Sequence, residues 1–411
     1  MNNAKRIWRA IVFLGIIFVG IAPRAHGQER DSTVGLSSRK FVHGMKAEVR
    51  PEYIFQTHSF LEGDNPEGKL IRGAFSYHLK YFLRYRPGSV AARAYGDVYQ
   101  GIGFGYYTFG EPRLLGDPLA FYLFQGARVA RFSPRVSFHY EWNLGLSAGW
   151  KTFNTYDNPY NKIIGSKVNA YINANFYLRW QLSPGVSLTS GITVSHFSNG
   201  NTAIPNAGLN TIGGNFGVEC NFHRKDDLKP LQANDVSPCR PFRRHISYDF
   251  VFFGSWHSQG IKTADGLSPS PESYPVFGFN FTPMYNAGYK LRFGMSLDGT
   301  YDGGANLYTE YDVYGQIDKS QIVRPPLGEQ FALGLSGRVE YVMPFFTVGI
   351  GLGTNFIGKG DLSMFYQMLT LKIAMSQTSF LHVGYNLRDF HDPNFLMLGI
   401  GFRLNSKSFA F

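Results

Sequence analysis

The chain has 411 residues, a formal net charge of +11, 47 glycines and 16% aromatic residues. Its basic residues are scattered, which argues against a nucleic-acid partner and leaves anionic membrane lipid as the expected charged partner, unless the charges only solvate loops and a lumen. No apolar stretch after residue 27 is long enough for a transmembrane helix, so a helical membrane protein is excluded.

The first 27 residues have the layout of a secretory signal peptide. Basic residues at 5, 6 and 9 precede an apolar stretch from about residue 10 to 22, and Ala25-His26-Gly27 supplies a small-x-small cleavage site. An uncleaved anchor is the alternative, but the apolar run is short for a membrane span. We therefore expect an exported protein whose mature part is residues 28–411.

Most of the mature chain alternates between polar and apolar residues. From Lys167 to Trp180 the even positions are all apolar, the odd positions are polar or tyrosine, and residues 135–150 repeat the pattern. Because neighbouring side chains on a strand point to opposite faces, each run predicts a strand with one apolar face. Further predicted strands are 45–57, 73–86, 98–109, 119–131, 185–198, 210–223, 245–257, 275–287, 289–301, 330–342, 345–356, 365–376, 379–388 and 395–404.

These strands are too long for a soluble β-sandwich, whose strands average about six residues. They fit strands that cross a bilayer at a tilt, and a closed barrel satisfies every backbone polar group inside lipid. The sequence therefore predicts an all-β protein, a transmembrane antiparallel β-barrel of the outer-membrane type. We expect one barrel domain over residues 28–411 with an even number of strands, about 12 to 16, and with apolar faces toward the lipid.

One predicted strand ends in a group of reactive side chains. His196 and Ser198 continue the even, apolar face that carries Ile192 and Val194. The next strand places Asn210 on its even face as well, so a hairpin would bring the three side chains together on the lipid-facing side. An ordinary strand end is the alternative, but polar groups on a lipid-facing stripe are costly unless they have a use.

The same residues carry a family resemblance. His196-Phe197-Ser198-Asn199, followed by residues 205–210 (Pro-Asn-Ala-Gly-Leu-Asn), resembles the lipid A 3-O-deacylases of the outer membrane, an acyloxyacyl hydrolase-like family. The resemblance extends over about residues 100–220 and includes Gly101-Ile102-Gly103-Phe104 and Tyr140-Glu141-Trp142. Small members of this family are eight-stranded, so the part from about residue 245 is an extension that the motif does not explain.

The resemblance implies a role for each residue. His196 would be the general base and Ser198 the nucleophile, while Asn210 stands where the best-known members have an orienting Glu. An Asn carbonyl can accept the ring N–H and fix the tautomer, but it supplies no charge to the imidazolium. We expect backbone N–H groups around Asn199 and Gly200 to form the oxyanion hole, Asn206 to position the substrate, and neither a cofactor nor a metal to be needed.

Other sequence patterns are weaker candidates. Glu219 has odd parity, which points it into the lumen, and His245-Ile246-Ser247 places its His and Ser on the lumen face as well. The string Gly145-Leu146-Ser147-Ala148-Gly149 matches a nucleophile elbow, but it lies within a strand with no following helix. None of these is expected to contribute to catalysis.

Cys220 and Cys239 are the only cysteines, and they flank a polar, basic segment. An oxidising compartment permits a disulfide between them that closes this loop. Two unpaired thiols are the alternative.

We expect a carboxylic ester hydrolase of the bacterial outer membrane that removes an acyl chain, the 3-O-hydroxyacyl chain, from lipid A. Its partners would be lipid A, or whole lipopolysaccharide, in the outer leaflet and the surrounding lipid. One alternative is a binding or transport barrel with an idle motif, favoured by the large strand number and by Asn210. A purely structural barrel is a further alternative.

Overall fold

The computed structural model describes residues 41–86, 89–222, 242–263, 266–310, 317–363, 365–388 and 392–405. They form two closed antiparallel barrels of eight strands each. The first barrel consists of β1 (Phe41–Ile54), β2 (Gly73–Tyr85), β3 (Val98–Thr108), β4 (Gly116–Arg131), β5 (Val136–Trp150), β6 (Val168–Gln181), β7 (Val186–Ser198) and β8 (Leu209–Phe222). The predicted signal peptide lies outside the described residues.

The second barrel begins after residue 242. It consists of β9 (His245–Thr263), β10 (Gly266–Asn286), β11 (Leu291–Asp302), β14 (Phe331–Val342), β15 (Phe346–Ile357), β16 (Phe365–Ala374), β17 (Ser379–Arg388) and β18 (Asp392–Leu404). A two-stranded sheet of β12 (Tyr308–Thr309) and β13 (Ile322–Val323) lies in the connection between β11 and β14, and two short helices, α1 (Ser59–Glu62) and α2 (Val90–Tyr95), lie between strands of the first barrel. In the described ranges, every helix is too short or too polar to span a bilayer.

Each barrel strand pairs with the next barrel strand along the chain, and each barrel closes where its first and last strands meet. The first closes by pairing β1 with β8, from His43↔Phe222 to Ile54↔Thr211. The second closes by pairing β9 with β18, from Tyr248↔Leu404 to Gly254↔Leu398. The predicted strand runs correspond to the sixteen barrel strands, but the single barrel of about 12 to 16 strands is not confirmed. Alternation reveals where strands are and gives no information on which distant strands close a barrel.

Buried charged side chains fill the lumen of the first barrel, as an eight-stranded barrel has just enough room for side chains. The Glu48 carboxylate accepts from Arg50 Nη2 at 2.7 Å and lies 2.8 Å from Lys80 Nζ. Lys80 also pairs with Glu141, and all four side chains are buried. The inward charges are therefore compensated within the barrel.

The second barrel repeats this arrangement with other residues. The Asp249 carboxylate accepts from Lys372 Nζ and Arg403 Nε, each at 2.7 Å. Arg292 Nη2 donates to Glu340 Oε2 at 2.6 Å. Each barrel thus has its own lumen network.

Apolar side chains cover the outer walls. Ile192 on β7 is 58% exposed and Phe252 on β9 is 61% exposed, whereas the inward Thr193 and Asp249 are fully buried. This alternation confirms the predicted facing, with the apolar positions outward, as a lipid-facing surface requires.

The two barrels contact each other through part of these outer walls. Gln125 lies on the outward side of β4, in line with the exposed Leu119, and yet it is fully buried. Trp142 donates its indole N–H to Gln125 Oε1 at 2.6 Å, and its ring packs on Phe346 of the second barrel with the ring centroids 5.1 Å apart. The packing of Trp142 on Phe346 therefore joins the two barrels side by side.

Candidate active site

The site is built on the outer face of the β7–β8 hairpin. His196 on β7 pairs directly with Asn210 on β8, and Ser198 is the last residue of β7. Residues at i and i+2 share a face of a strand, so His196 and Ser198 point outward while Ser195 and Thr211 are buried in the lumen. All three predicted site residues are half-buried at one end of the first barrel.

One imidazole ring joins the three side chains. His196 Nε2 lies 2.9 Å from Ser198 Oγ, and His196 Nδ1 lies 2.7 Å from Asn210 Oδ1. Because the Asn oxygen only accepts, Nδ1 carries the proton and Nε2 is left to accept the Ser198 hydroxyl proton. This is the geometry of a base next to a nucleophile, with a third group orienting the base.

A glycine allows the chain to pass close to the ring. Gly208 has φ +74°, and a Cβ placed on it would lie 3.2 Å from both His196 Cε1 and the Phe197 carbonyl oxygen. The Gly208 N–H donates to the Ile163 carbonyl at 3.2 Å, so the β5–β6 loop holds this segment against the imidazole. The position thus requires glycine both for its conformation and for space.

The turn after Ser198 is braced by asparagine side chains. The Asn199 N–H donates to Asn206 Oδ1 at 2.9 Å, and Asn206 Nδ2 donates to Asn201 Oδ1 at 3.1 Å. The predicted oxyanion donor at Asn199 is therefore already engaged, whereas the Gly200 N–H has no hydrogen-bond partner among the described residues. The sequence did not indicate the bracing role of Asn206, whose contact with substrate stays a prediction.

Two of the rejected candidates, Glu219 and Ser247, lie where parity placed them. Glu219 is buried in the lumen, 3.1 Å from Arg179 Nη2. Ser247 is fully buried in the second barrel and accepts from Asn286 Nδ2 at 2.9 Å. Both predictions of a lumen position are confirmed.

The remaining predictions concern the cysteines and metals. Cys220 lies on β8, but Cys239 lies outside the described residues, so the disulfide stays a prediction. The part of the chain that the structure describes contains no group of three or more His, Cys, Asp or Glu side chains that could hold a metal ion.

Two family models match the chain, and together they cover more than half of it. The lipid A 3-O-deacylase (PagL) model matches residues 78–219, which contain His196, Ser198 and Asn210. A model for the C-terminal domain of acyloxyacyl hydrolase matches residues 246–406. The chain belongs to the lipid A 3-O-deacylase family. The second match coincides with the second barrel. The part of the chain from about residue 245, which the motif left unexplained, therefore matches the C-terminal domain of acyloxyacyl hydrolase.

The chain is also similar to solved structures of outer-membrane proteins. It is 14% identical to the outer membrane enzyme PagL, over 43% of this chain and 97% of that one, with a TM-score of 0.27. It is 12% identical to Neisserial surface protein A (NspA), over 44% of this chain and 96% of that one, also with a TM-score of 0.27. No curated protein sequence matches the chain. The fold of this chain is defined by the pairing of its own strands into two closed barrels.

Proposed function

We propose that this protein is an outer-membrane esterase that removes an ester-linked acyl chain, the 3-position hydroxyacyl chain, from lipid A. The observation that carries the proposal is the His196 ring, which joins Ser198 Oγ to Asn210 Oδ1 on the outer wall of a barrel. Membership of the deacylase family supports lipid A as the substrate.

The outward position of the site suits a substrate that lies in the membrane. Val194 and Ile192 continue the apolar face of β7 from His196 toward the middle of the strand, and both are exposed. Acyl chains can pack along such a wall while the ester stays level with Ser198 at the strand end. Lipid A of the outer leaflet can thus reach the site by lateral diffusion.

The chemistry is acyl transfer in two steps. His196 Nε2 takes the Ser198 hydroxyl proton as Oγ attacks the ester carbonyl carbon, and the Gly200 N–H donates a hydrogen bond to the resulting oxyanion. The intermediate collapses, the sugar oxygen leaves with the proton from Nε2, and an acyl-Ser198 ester remains. Water, deprotonated by His196, then attacks this ester, and the fatty acid is released as His196 Nε2 returns the proton to Ser198 Oγ. Asn210 holds the Nδ1–H throughout and keeps the ring in one tautomer.

A transport role is the less favoured alternative. Buried ion networks around Glu48 and around Asp249 occupy the two lumens. A molecule that passes through either barrel would have to separate these paired charges, which costs several kcal/mol. The outer wall is the surface that remains for chemistry.

Mass spectrometry of lipid A tests the proposal. Cells that carry the wild-type protein should contain lipid A that lacks one 3-hydroxyacyl chain, and the free hydroxy acid should be recovered. Cells with Ser198→Ala at the same expression level should resemble cells without the protein. Identical lipid A in all three strains would refute the proposal.

A further inference from the structure

The turn that follows Ser198 rests on the second barrel. We name residues 199–203 the catalytic turn. The Ser258 N–H of β9 donates to the Asn201 carbonyl at 2.8 Å, and Ser273 Oγ of β10 donates to the Thr202 carbonyl at 3.3 Å. The second barrel therefore holds the backbone of the segment that carries the predicted oxyanion donor.

A side chain of the second barrel also covers Gly200. Leu396 points outward from β18, and a Cβ built on Gly200 would lie 2.9 to 3.1 Å from its Cγ, Cδ1 and Cδ2 atoms. Gly200 is buried and has φ +63°. The Leu396 side chain thus occupies the space next to Gly200 and limits where its backbone can move.

The edge of β9 is open where the catalytic turn binds. β18 pairs with β9 from Tyr248 to Gly254, and in the described ranges no pairing of these two strands continues beyond Gly254. Ser258 lies four residues further along β9, and its N–H donates to the Asn201 carbonyl of the catalytic turn. A strand edge carries unpaired backbone groups that bind another chain segment readily.

We propose that the second barrel is a positioning element of the esterase site, an inference that rests on the proposed function. Ser258, through its backbone N–H, and Leu396 are positioning residues, because they contact the catalytic turn. Gly200 and Asn201 both have positive φ, and Asn201 has φ 64°. A turn rich in such residues loses much conformational freedom when ordered, and the second barrel imposes that order before the substrate binds.

This role predicts a specific kinetic effect. A donor fixed toward the developing oxyanion stabilises the transition state more than the bound ester. If the catalytic turn is released, the kcat should fall while the KM changes little. A general weakening of the fold would instead lower the yield of folded protein and leave the kcat of the folded fraction intact.

The experiment uses the full chain in detergent with purified lipid A. Leu396→Ala removes the cover over Gly200, and Leu398→Ala is its control, since Leu398 is the next outward residue of β18 and is 42% exposed. Ser258→Pro removes the N–H, whereas Ser258→Ala keeps it and loses only the hydroxyl, which lies 3.3 Å from Ser273 Oγ. The readouts are the kcat, the KM, the rate at which a fluorophosphonate labels Ser198, and heat-modifiable gel migration as the test of folding.

Leu396→Ala and Ser258→Pro should each lower the kcat and the labelling rate by about tenfold or more, since small misplacements of catalytic groups have large effects on rate. Leu396→Met should restore most of the loss, and Leu398→Ala should match the wild type. Ser258→Ala should lose less activity than Ser258→Pro, because it keeps the N–H. If Leu396→Ala folds and retains wild-type kcat and labelling, the inference is overturned while the proposed function stands. If wild type and Ser198→Ala release equal amounts of fatty acid, the proposed function and the inference fail together.

Discussion

At the scale of single residues, Asn210 is the departure from the family pattern that has the clearest chemical consequence. Its Oδ1 lies 2.7 Å from His196 Nδ1, so it orients the ring without adding charge. A neutral hydrogen bond contributes about 1 kcal/mol. We therefore expect Asn210→Ala to lower the kcat by less than about tenfold. Asn210→Glu should retain activity or raise it, because a carboxylate stabilises the imidazolium.

The variants to compare with those of Asn210 are chosen by where each residue lies relative to the site. Ser198→Ala and His196→Ala should abolish deacylation, since each removes a group that takes part in bond making. Glu219→Gln should retain activity, because Glu219 is buried in the lumen beside Arg179. Release of fatty acid from lipid A is the measurement. The outward site would be contradicted by one combined result. In that result, Glu219→Gln loses activity as completely as Ser198→Ala, while Asn210→Ala has no effect.

Gly208 gives a second test at the residue scale. In Gly208→Ala, the new Cβ would press on His196 Cε1 from 3.2 Å, so the ring should turn away from Ser198. We expect a loss of about tenfold or more in kcat. Gly110→Ala is the matched control, because Gly110 has a similar φ of +78° and nothing within 4 Å of its Cβ position. Both variants carry backbone strain of about 1 to 3 kcal/mol, so only Gly208→Ala should lose activity beyond its loss of stability.

At the scale of elements, the β7–β8 hairpin could be predicted from the sequence in most of its functional detail. Alternation alone placed His196, Ser198 and Asn210 on one face and Glu219 on the other, because strand parity depends only on local spacing. The bracing of the turn by Asn206 could not be predicted in this way. Nor could the contact from Leu396, since it joins residues almost two hundred positions apart that only the packing of two barrels brings together.

The segment between β8 and β9 carries the prediction on cysteines. Cys220 lies near the end of β8, and an oxidising compartment favours its pairing with Cys239. In the exported protein, neither thiol should react with a maleimide until a reductant is added, and both should react afterwards. Cys239→Ser provides the control, because it should leave one reactive thiol at Cys220 without reductant. Labelling of both thiols in the untreated protein would exclude the disulfide.

At the scale of the whole molecule, two closed barrels replace the single large barrel that strand length and number suggested. Each closing pair, β1 with β8 and β9 with β18, joins strands well over a hundred residues apart. Such long-range pairing leaves no local pattern in a sequence, whereas the strands themselves do. The consequence for function is that the catalytic hairpin of one barrel has a second barrel beside it, in contact with its turn.

Each barrel has its own network of buried ion pairs in its lumen, so we expect the two barrels to unfold separately. Glu48 binds Arg50 and Lys80 in the first barrel, and Asp249 binds Lys372 and Arg403 in the second. Removing one partner of a buried ion pair costs about 3 to 5 kcal/mol, because the other charges stay buried without compensation. Calorimetry in detergent should therefore resolve two transitions, with Glu48→Gln lowering the melting temperature of one and Asp249→Asn that of the other. A single transition that both variants lower equally would instead mean that the contact through Trp142 and Phe346 couples the barrels into one cooperative unit.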